Sequence, residues 1–173
     1  MRWLGVATAL LMAACAPTRP APLADQIDAE IRSEGAGPAV RRMAADGDYN
    51  RVLAGIADGD TALIALSPKL AAGADAGASE ALGIALARAL PKNAAAVLAV
   101  LDQRQAAISE ARVCGLPFVE GTITDIAAYR RDAEAAVRHV DTPPLQRSRM
   151  ACIAALRQTG ARVENAAPPR IGG

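Results

Sequence analysis

Between Asp48 and Asn93 the chain is cut at short intervals by residues that end one helix and cap the next. This punctuation constrains the fold more than any other feature. Asp48, Asp60, Asp75 and Asn93 each precede an apolar-periodic run, where a side-chain oxygen can accept from the unpaired N–H groups of a helix start. After Asp48, Tyr49, Val52, Leu53 and Ile56 follow the spacing of one helical face. After Asp60, Leu63, Leu66 and Leu70 make a stripe that ends near Gly73. Pro68 either kinks that helix or takes the first position of a new turn capped by Ser67. After Asp75, Leu82, Leu86, Ala89 and Leu90 form a broad face closed by Pro91-Lys92-Asn93, and Val97 and Leu101 follow. Connections this short force antiparallel neighbours, so the spacing predicts two αα-hairpins, over 48–72 and 76–103.

The flanks carry the same signature. Leu23–Glu34 reads as a helix stopped by Gly35 and Gly37, and Pro38–Ala45 as a short second one. Ala106–Val113 is expected to be helical, with Gly115 as its C-terminal cap. Leu116-Pro117-Phe118-Val119 forms an apolar loop closed by Gly121. Thr124 then caps a helix with Ile126, Tyr129, Ala133, Val137 and Val140 on one stripe. Asp141-Thr142-Pro143-Pro144 starts the last helix, where Leu145, Cys152 and Leu156 share a face. No stretch reads as a strand. The expected fold is all-α, a compact array of antiparallel helical hairpins over residues 23–160, with a disordered tail over 161–173.

The paired hairpins resemble helical-hairpin repeats of the HEAT or TPR kind over about 55 residues, without a diagnostic motif. Two units fall short of the three that a free-standing solenoid needs, so a compact array is expected instead.

At the N-terminus, Arg2 precedes an apolar run from Trp3 to Ala13, and small residues lead into Cys15. This is the pattern of a secretory signal, too short to span a bilayer. The ending Leu11-Met12-Ala13-Ala14-Cys15 resembles the lipobox of bacterial lipoproteins, with Met12 where that family prefers Leu, Val or Ile. The resemblance implies removal of residues 1–14 and lipidation of Cys15. It also implies a tether over 15–22 and, from the non-acidic Ala16, sorting to the outer membrane facing the periplasm. The alternative is ordinary cleavage at Ala14-Cys15-Ala16, which releases a soluble periplasmic protein. With Cys15 given to lipid, Cys114 and Cys152 remain as an even pair in an oxidising compartment. They read as a disulfide or as two buried apolar thiols.

Charge and composition exclude several functions. The chain has 19 basic and 18 acidic residues, and loss of Arg2 with a signal balances them. Nucleic acid calls for a basic footprint, so none is expected as a partner. Beyond Trp3 the aromatic residues are Tyr49, Phe118 and Tyr129, too few for base-stacking or sugar-gripping platforms. The core must come from Ala, Leu, Val and Ile, and alanine has the best helix propensity.

Candidate chemistry is sparse, and no catalytic set, metal site or cofactor is expected. His139, near a helix end, reads as a partner of the terminal carbonyls, with no nucleophile or orienting acid in recognisable spacing. One histidine and two distant cysteines match no zinc pattern. Glu120 follows an apolar run beside Gly121, either as a general acid raised by burial or as an exposed loop carboxylate. Asp125 reads as a first-turn acid. The arginines of the last two helices alternate with Asp132 and Glu134 as on a solvated face. The segment holding Leu116, Phe118, Val119 and Glu120 is the candidate contact surface for an envelope protein partner, and Phe118 reads otherwise as a plug under a crossover loop. The expected function is an anchored protein-binding or accessory module, of inhibitor or immunity type. The alternative is an envelope hydrolase drawing on Glu120, Asp125 and His139. Nothing in the sequence sets the oligomeric state.

Overall fold

Ten α-helices and two single 3-10 turns, with no strand, account for the ordered backbone among the described residues. The structure is a computed structural model describing residues 22–118 and 123–166, with side chains as far as Thr159. The helices are α1 (Leu23–Glu34), α2 (Ala36–Asp46), α3 (Asp48–Ala57), α4 (Thr61–Ala65) and α5 (Ser67–Gly73), then α6 (Ala76–Ala89), α7 (Ala94–Val100), α8 (Glu110–Val113), α9 (Ile126–Arg138) and α10 (Gln146–Ala166). The signal, Cys15, the tether to residue 21, Val119, Glu120, Gly121 and residues 167–173 lie outside the described residues.

The punctuation holds where its chemistry is strongest. Asp60 Oδ1 accepts from the N–H groups of Ala62 and Leu63 at 2.9 and 3.0 Å, starting α4. Asp75 Oδ1 accepts from Ala78 N at 2.8 Å at the start of α6, and Asn93 Oδ1 from Ala96 N at 3.2 Å at the start of α7. Asp48 is a correction: the capping position belongs to Gly47, in a left-handed turn, and Asp48 pairs with Arg51 in the first turn of α3. Gly37 stops nothing, because α2 begins at Ala36 and runs through it. The run from Thr61 to Gly73 divides at Leu66, so Pro68 sits in the first turn of α5, where its missing N–H costs nothing.

The two predicted hairpins stack in register. α3 lies on α6, α4 on α7, and α2 on α5. Their turns touch: Asn93 Nδ2 donates to Gly59 O and to Thr61 Oγ1, both at 2.9 Å. Along their length, the Tyr49 hydroxyl donates to Ala78 O at 3.1 Å and joins α3 to α6. Between these links lie the predicted stripes. Val52, Ile56, Leu63, Leu70, Leu82, Leu86, Leu90 and Val97 are all buried in one continuous core with the C-terminal helices. At about 1.5–3 kcal/mol per buried aliphatic side chain, this stack supplies the main cohesion of the hairpins.

The second half departs more from expectation. Ala106–Val113 is not one helix: a 3-10 turn over Ala106–Ile108 ends at Ser109, whose extended backbone breaks the run before α8. Asp125, not Thr124, caps α9, with Oδ1 accepting from Ala128 N at 2.8 Å. The prolines of 141–144 open a 3-10 turn over Pro143–Leu145, and α10 starts only at Gln146. At its far end α10 runs to Ala166, past the expected domain boundary at residue 160 and into the expected tail.

Candidate functional site

The C-terminal half is fastened where α8 meets α10. Cys114 and Cys152, both fully buried, form a disulfide with Cα atoms 5.2 Å apart. Of the two readings of this pair, the bonded one is present. The bond fixes the residue that ends α8 to the second turn of α10, and α10 is held to α9 by Arg157 Nε on Glu134 Oε1 at 2.7 Å. Arg149 Nη1 adds a donation to Val140 O at 2.9 Å.

The apolar loop leaves this junction under close steric control. Gly115 is not the left-handed cap the sequence suggests. A Cβ there would stand 2.1 Å from Ala111 O, so glycine is needed for space. The left-handed turn falls one residue later, on Leu116 with φ 56°, the one non-glycine positive φ among the described residues. That geometry costs a leucine roughly 1–2 kcal/mol and persists because the flanking structure holds it. Leu116 and Phe118 are half-buried against the core. The Phe118 ring meets Tyr129 edge-on at 4.8 Å between centroids and 83° between planes, a favoured aromatic arrangement. Tyr129 is buried beneath it and donates to Ala87 O at 2.6 Å, joining α9 to α6. Burial pushes its phenol pKa well above the usual range. Phe118 thus lies as a plug over the core, with part of its ring open to solvent.

Of the residues weighed for acid–base work, Glu120 lies outside the described residues, and Asp125 and His139 are kept apart. Asp125 is spent on the start of α9, and His139 stands at its other end, about 20 Å away at 1.5 Å per residue. His139 is exposed, and its Nδ1 donates to Ala135 O at 2.7 Å, as its place near the helix end predicts. No group of three or more metal-ligating side chains occurs among the described residues.

A different carboxylate, unmarked in the sequence reading, occupies the most built part of this end. Glu110 is 7% exposed. One of its oxygens, Oε1, accepts from Ser148 Oγ on α10 at 3.3 Å, and the other, Oε2, is buried without a hydrogen-bond partner. It lines a groove of about 570 Å³ between the 106–111 segment and α10. The floor and walls are small, with Ala111, Ala151, Ala154 and Ala155 among them, while Gln103, Arg104 and Gln158 stand with them around the groove. Arg104 is already engaged, its guanidinium holding both oxygens of Asp102 at 3.1 and 3.0 Å and keeping that carboxyl below its ordinary pKa. A continuous helix over 106–113, as the sequence suggests, gives Glu110 no special place. The break at Ser109 resets the helical phase and turns Glu110 towards α10. The available signal was the Ser109-Glu110 pair, a helix start inside an otherwise helical run.

Among the described residues no helix is long and apolar enough to cross a membrane. No family model, curated protein or solved structure matches the chain.

Proposed function

We propose that this chain is an exported accessory lipoprotein of a bacterial envelope, anchored through Cys15, whose helical domain acts by binding another protein. An inhibitor or immunity role is the sharper form of this reading. The observation that carries it is the Cys114–Cys152 bond. A disulfide between two buried cysteines suits an oxidising compartment, and it leaves Cys15, behind an apolar run, as the odd cysteine. The same bond makes the α8–α10 end rigid, and a preorganised surface loses less freedom on binding. Met150, 63% exposed, is the large apolar side chain left most open among the described residues. It stands one helical turn before the groove residue Ala154. Methionine adapts readily to apolar partner surfaces.

The test is the non-reduced intact mass of protein made with its own N-terminus in a Gram-negative host. The reading expects a chain starting at Cys15, carrying acyl groups and lacking two hydrogens for the disulfide. An unacylated chain starting near Pro17 removes the anchor. For binding, a photo-crosslinker at Met150 should give one discrete adduct in native cells, and the same adduct should weaken when Ala154 is replaced by a bulky residue. A ladder of unrelated adducts would sink the idea of a specific partner.

A further inference from the structure

We infer that the groove between α8 and α10 is a binding site for a primary alkylammonium group, presented by a lysine side chain of a partner protein. The choice of a protein partner rests on the function proposed above; the ammonium chemistry rests on the groove itself. A carboxylate that is nine-tenths buried is costly to leave without a compensating cation or a full set of donors. Glu110 has one weak donor, the Ser148 hydroxyl at 3.3 Å, and one buried oxygen with none.

The geometry favours ammonium over guanidinium. A guanidinium fork is best matched by two free oxygens side by side, and here Oε1 is taken by Ser148. An ammonium is a compact charge with three donors that can be shared among separate acceptors. Glu110 Oε2, closed to solvent in the free protein, accepts one once the carboxylate turns into the groove. The lone pairs of Ser148 Oγ and the side-chain carbonyls of Gln103 or Gln158 are the candidates for the others. The alanine walls leave a channel for an unbranched methylene stem, which stays in apolar contact while its head reaches the carboxylate. The nearby positive charge does not oppose this, since Arg104 is neutralised by Asp102.

The experiment titrates the oxidised, full-length mature protein with n-butylammonium, with Nα-acetyl-lysine methylamide and with n-butanol as the uncharged control, read by amide NMR. Saturable shifts are expected for Ala111, Ala151, Ala154 and Ala155 with both amines and none with butanol. The lysine derivative should bind more tightly because its backbone reaches the groove rim. Glu110→Gln should weaken both amines about tenfold or more, as loss of a buried charge partner does. Ala154→Leu, at an exposed position, should block the groove without touching Glu110, and stands in should Glu110→Gln fail to fold. The inference is overturned by butanol matching butylammonium, by no saturation with either amine, or by binding that survives both variants. Binding of butylammonium with no binding of the lysine derivative overturns the lysine side chain as the source. A negative result here leaves the mass and crosslinking tests untouched, so the two readings fail separately.

Discussion

The stacked hairpins of α2–α7 and the segment from Ala106 to Leu156 share one apolar core, yet they are held by different kinds of constraint. The hairpins rely on local signals: side-chain caps at the starts of α4, α6 and α7, short turns, and aliphatic stripes. Their long-range polar ties, from Asn93, Lys92 and Tyr49, connect neighbours in the stack. The C-terminal segment relies on links between residues distant in sequence: the disulfide, Tyr129 reaching back to Ala87, and Ser148 on Glu110. It also carries the left-handed Leu116 and the buried carboxylate with a free oxygen. The strained leucine and the buried carboxylate thus lie in the part that a covalent bond stiffens, whereas the buried group without a partner in the hairpins, Ser67 Oγ, is an uncharged hydroxyl. The hairpins are accordingly read as scaffold and the α8–α10 end as the working surface.

The largest effect that separates the two regions is loss of the disulfide. Its ends are 38 residues apart, so on the chain-entropy model Cys114→Ser with Cys152→Ser should cost about 4 kcal/mol in urea unfolding. Native-state hydrogen exchange should show α8 and α10 losing protection while α3 and α6 keep theirs. Uniform loss across both regions would mean that the hairpins lean on the bond as much as its own neighbours do, and the comparison would collapse.

Next come two glycines that each region uses for close approach. A Cβ at Gly73 would stand 2.3 Å from the Ala36 backbone, where α5 crosses α2, and one at Gly115 would stand 2.1 Å from Ala111 O. Both meet backbone, which cannot swing aside, so Gly73→Ala and Gly115→Ala should each cost about 2–3 kcal/mol, as overpacking does. Gly115→Ala should in addition disturb the groove amides, whereas Gly73→Ala should leave them in place. Equal disturbance from both would show that the scaffold and the surface are not separable.

Capping tests the difference more finely. Asn93 caps α7 and also ties both hairpin turns, so Asn93→Ala should cost about 2 kcal/mol, against about 1 kcal/mol for Asp125→Ala, which loses a cap alone. Thermal melts of the two variants measure this directly, and a reversed order would remove the stacking role of Asn93.

These same residues show how far the sequence could be read. Asp60, Asp75 and Asn93 were legible because a cap acts within three residues, and the aliphatic stripes because helical period is local. Asp48 misled because Gly47, free to take a left-handed turn, starts the helix one residue earlier. Thr124 misled because its neighbour Asp125 is the stronger cap. The pairing of Cys114 with Cys152 could be suggested by counting cysteines, and only the fold brings them together. For Glu110 the Ser109 cap is a local signal of a helix start, but its burial depends also on α10, which begins 36 residues later. Leu116 and Phe118 belong to an apolar run that is plain in the sequence, which offers both a contact surface and a core plug; the edge-on contact of Phe118 with Tyr129 comes only from the fold.

The last effect is absent at neutral pH and reports on both regions at once. The chain's two tyrosines divide between them, Tyr49 in the hairpins and Tyr129 in the C-terminal segment. Burial, aided by the nearby Asp75 carboxylate, raises the Tyr49 phenol from its ordinary 10 to about 12, and burial raises Tyr129 as well. Below pH 10 the phenols are neutral in the folded and unfolded chains alike, so stability is fully retained. Between pH 10 and about 12 the unfolded chain loses protons that the folded one keeps, and stability falls as pH rises. Tyrosinate absorbance at 295 nm should therefore lag behind that of a free phenol and rise together with loss of helical circular dichroism. Tyr49→Phe and Tyr129→Phe should each flatten part of that decline. Because Tyr129 is clamped beneath Phe118, its share should shrink when the disulfide is removed, while the share of Tyr49 stays fixed. Tyrosinate absorbance at pH 10 with helicity intact would mean that the phenols are open to water, and the two regions would then differ in their bonds without differing in how firmly those bonds close.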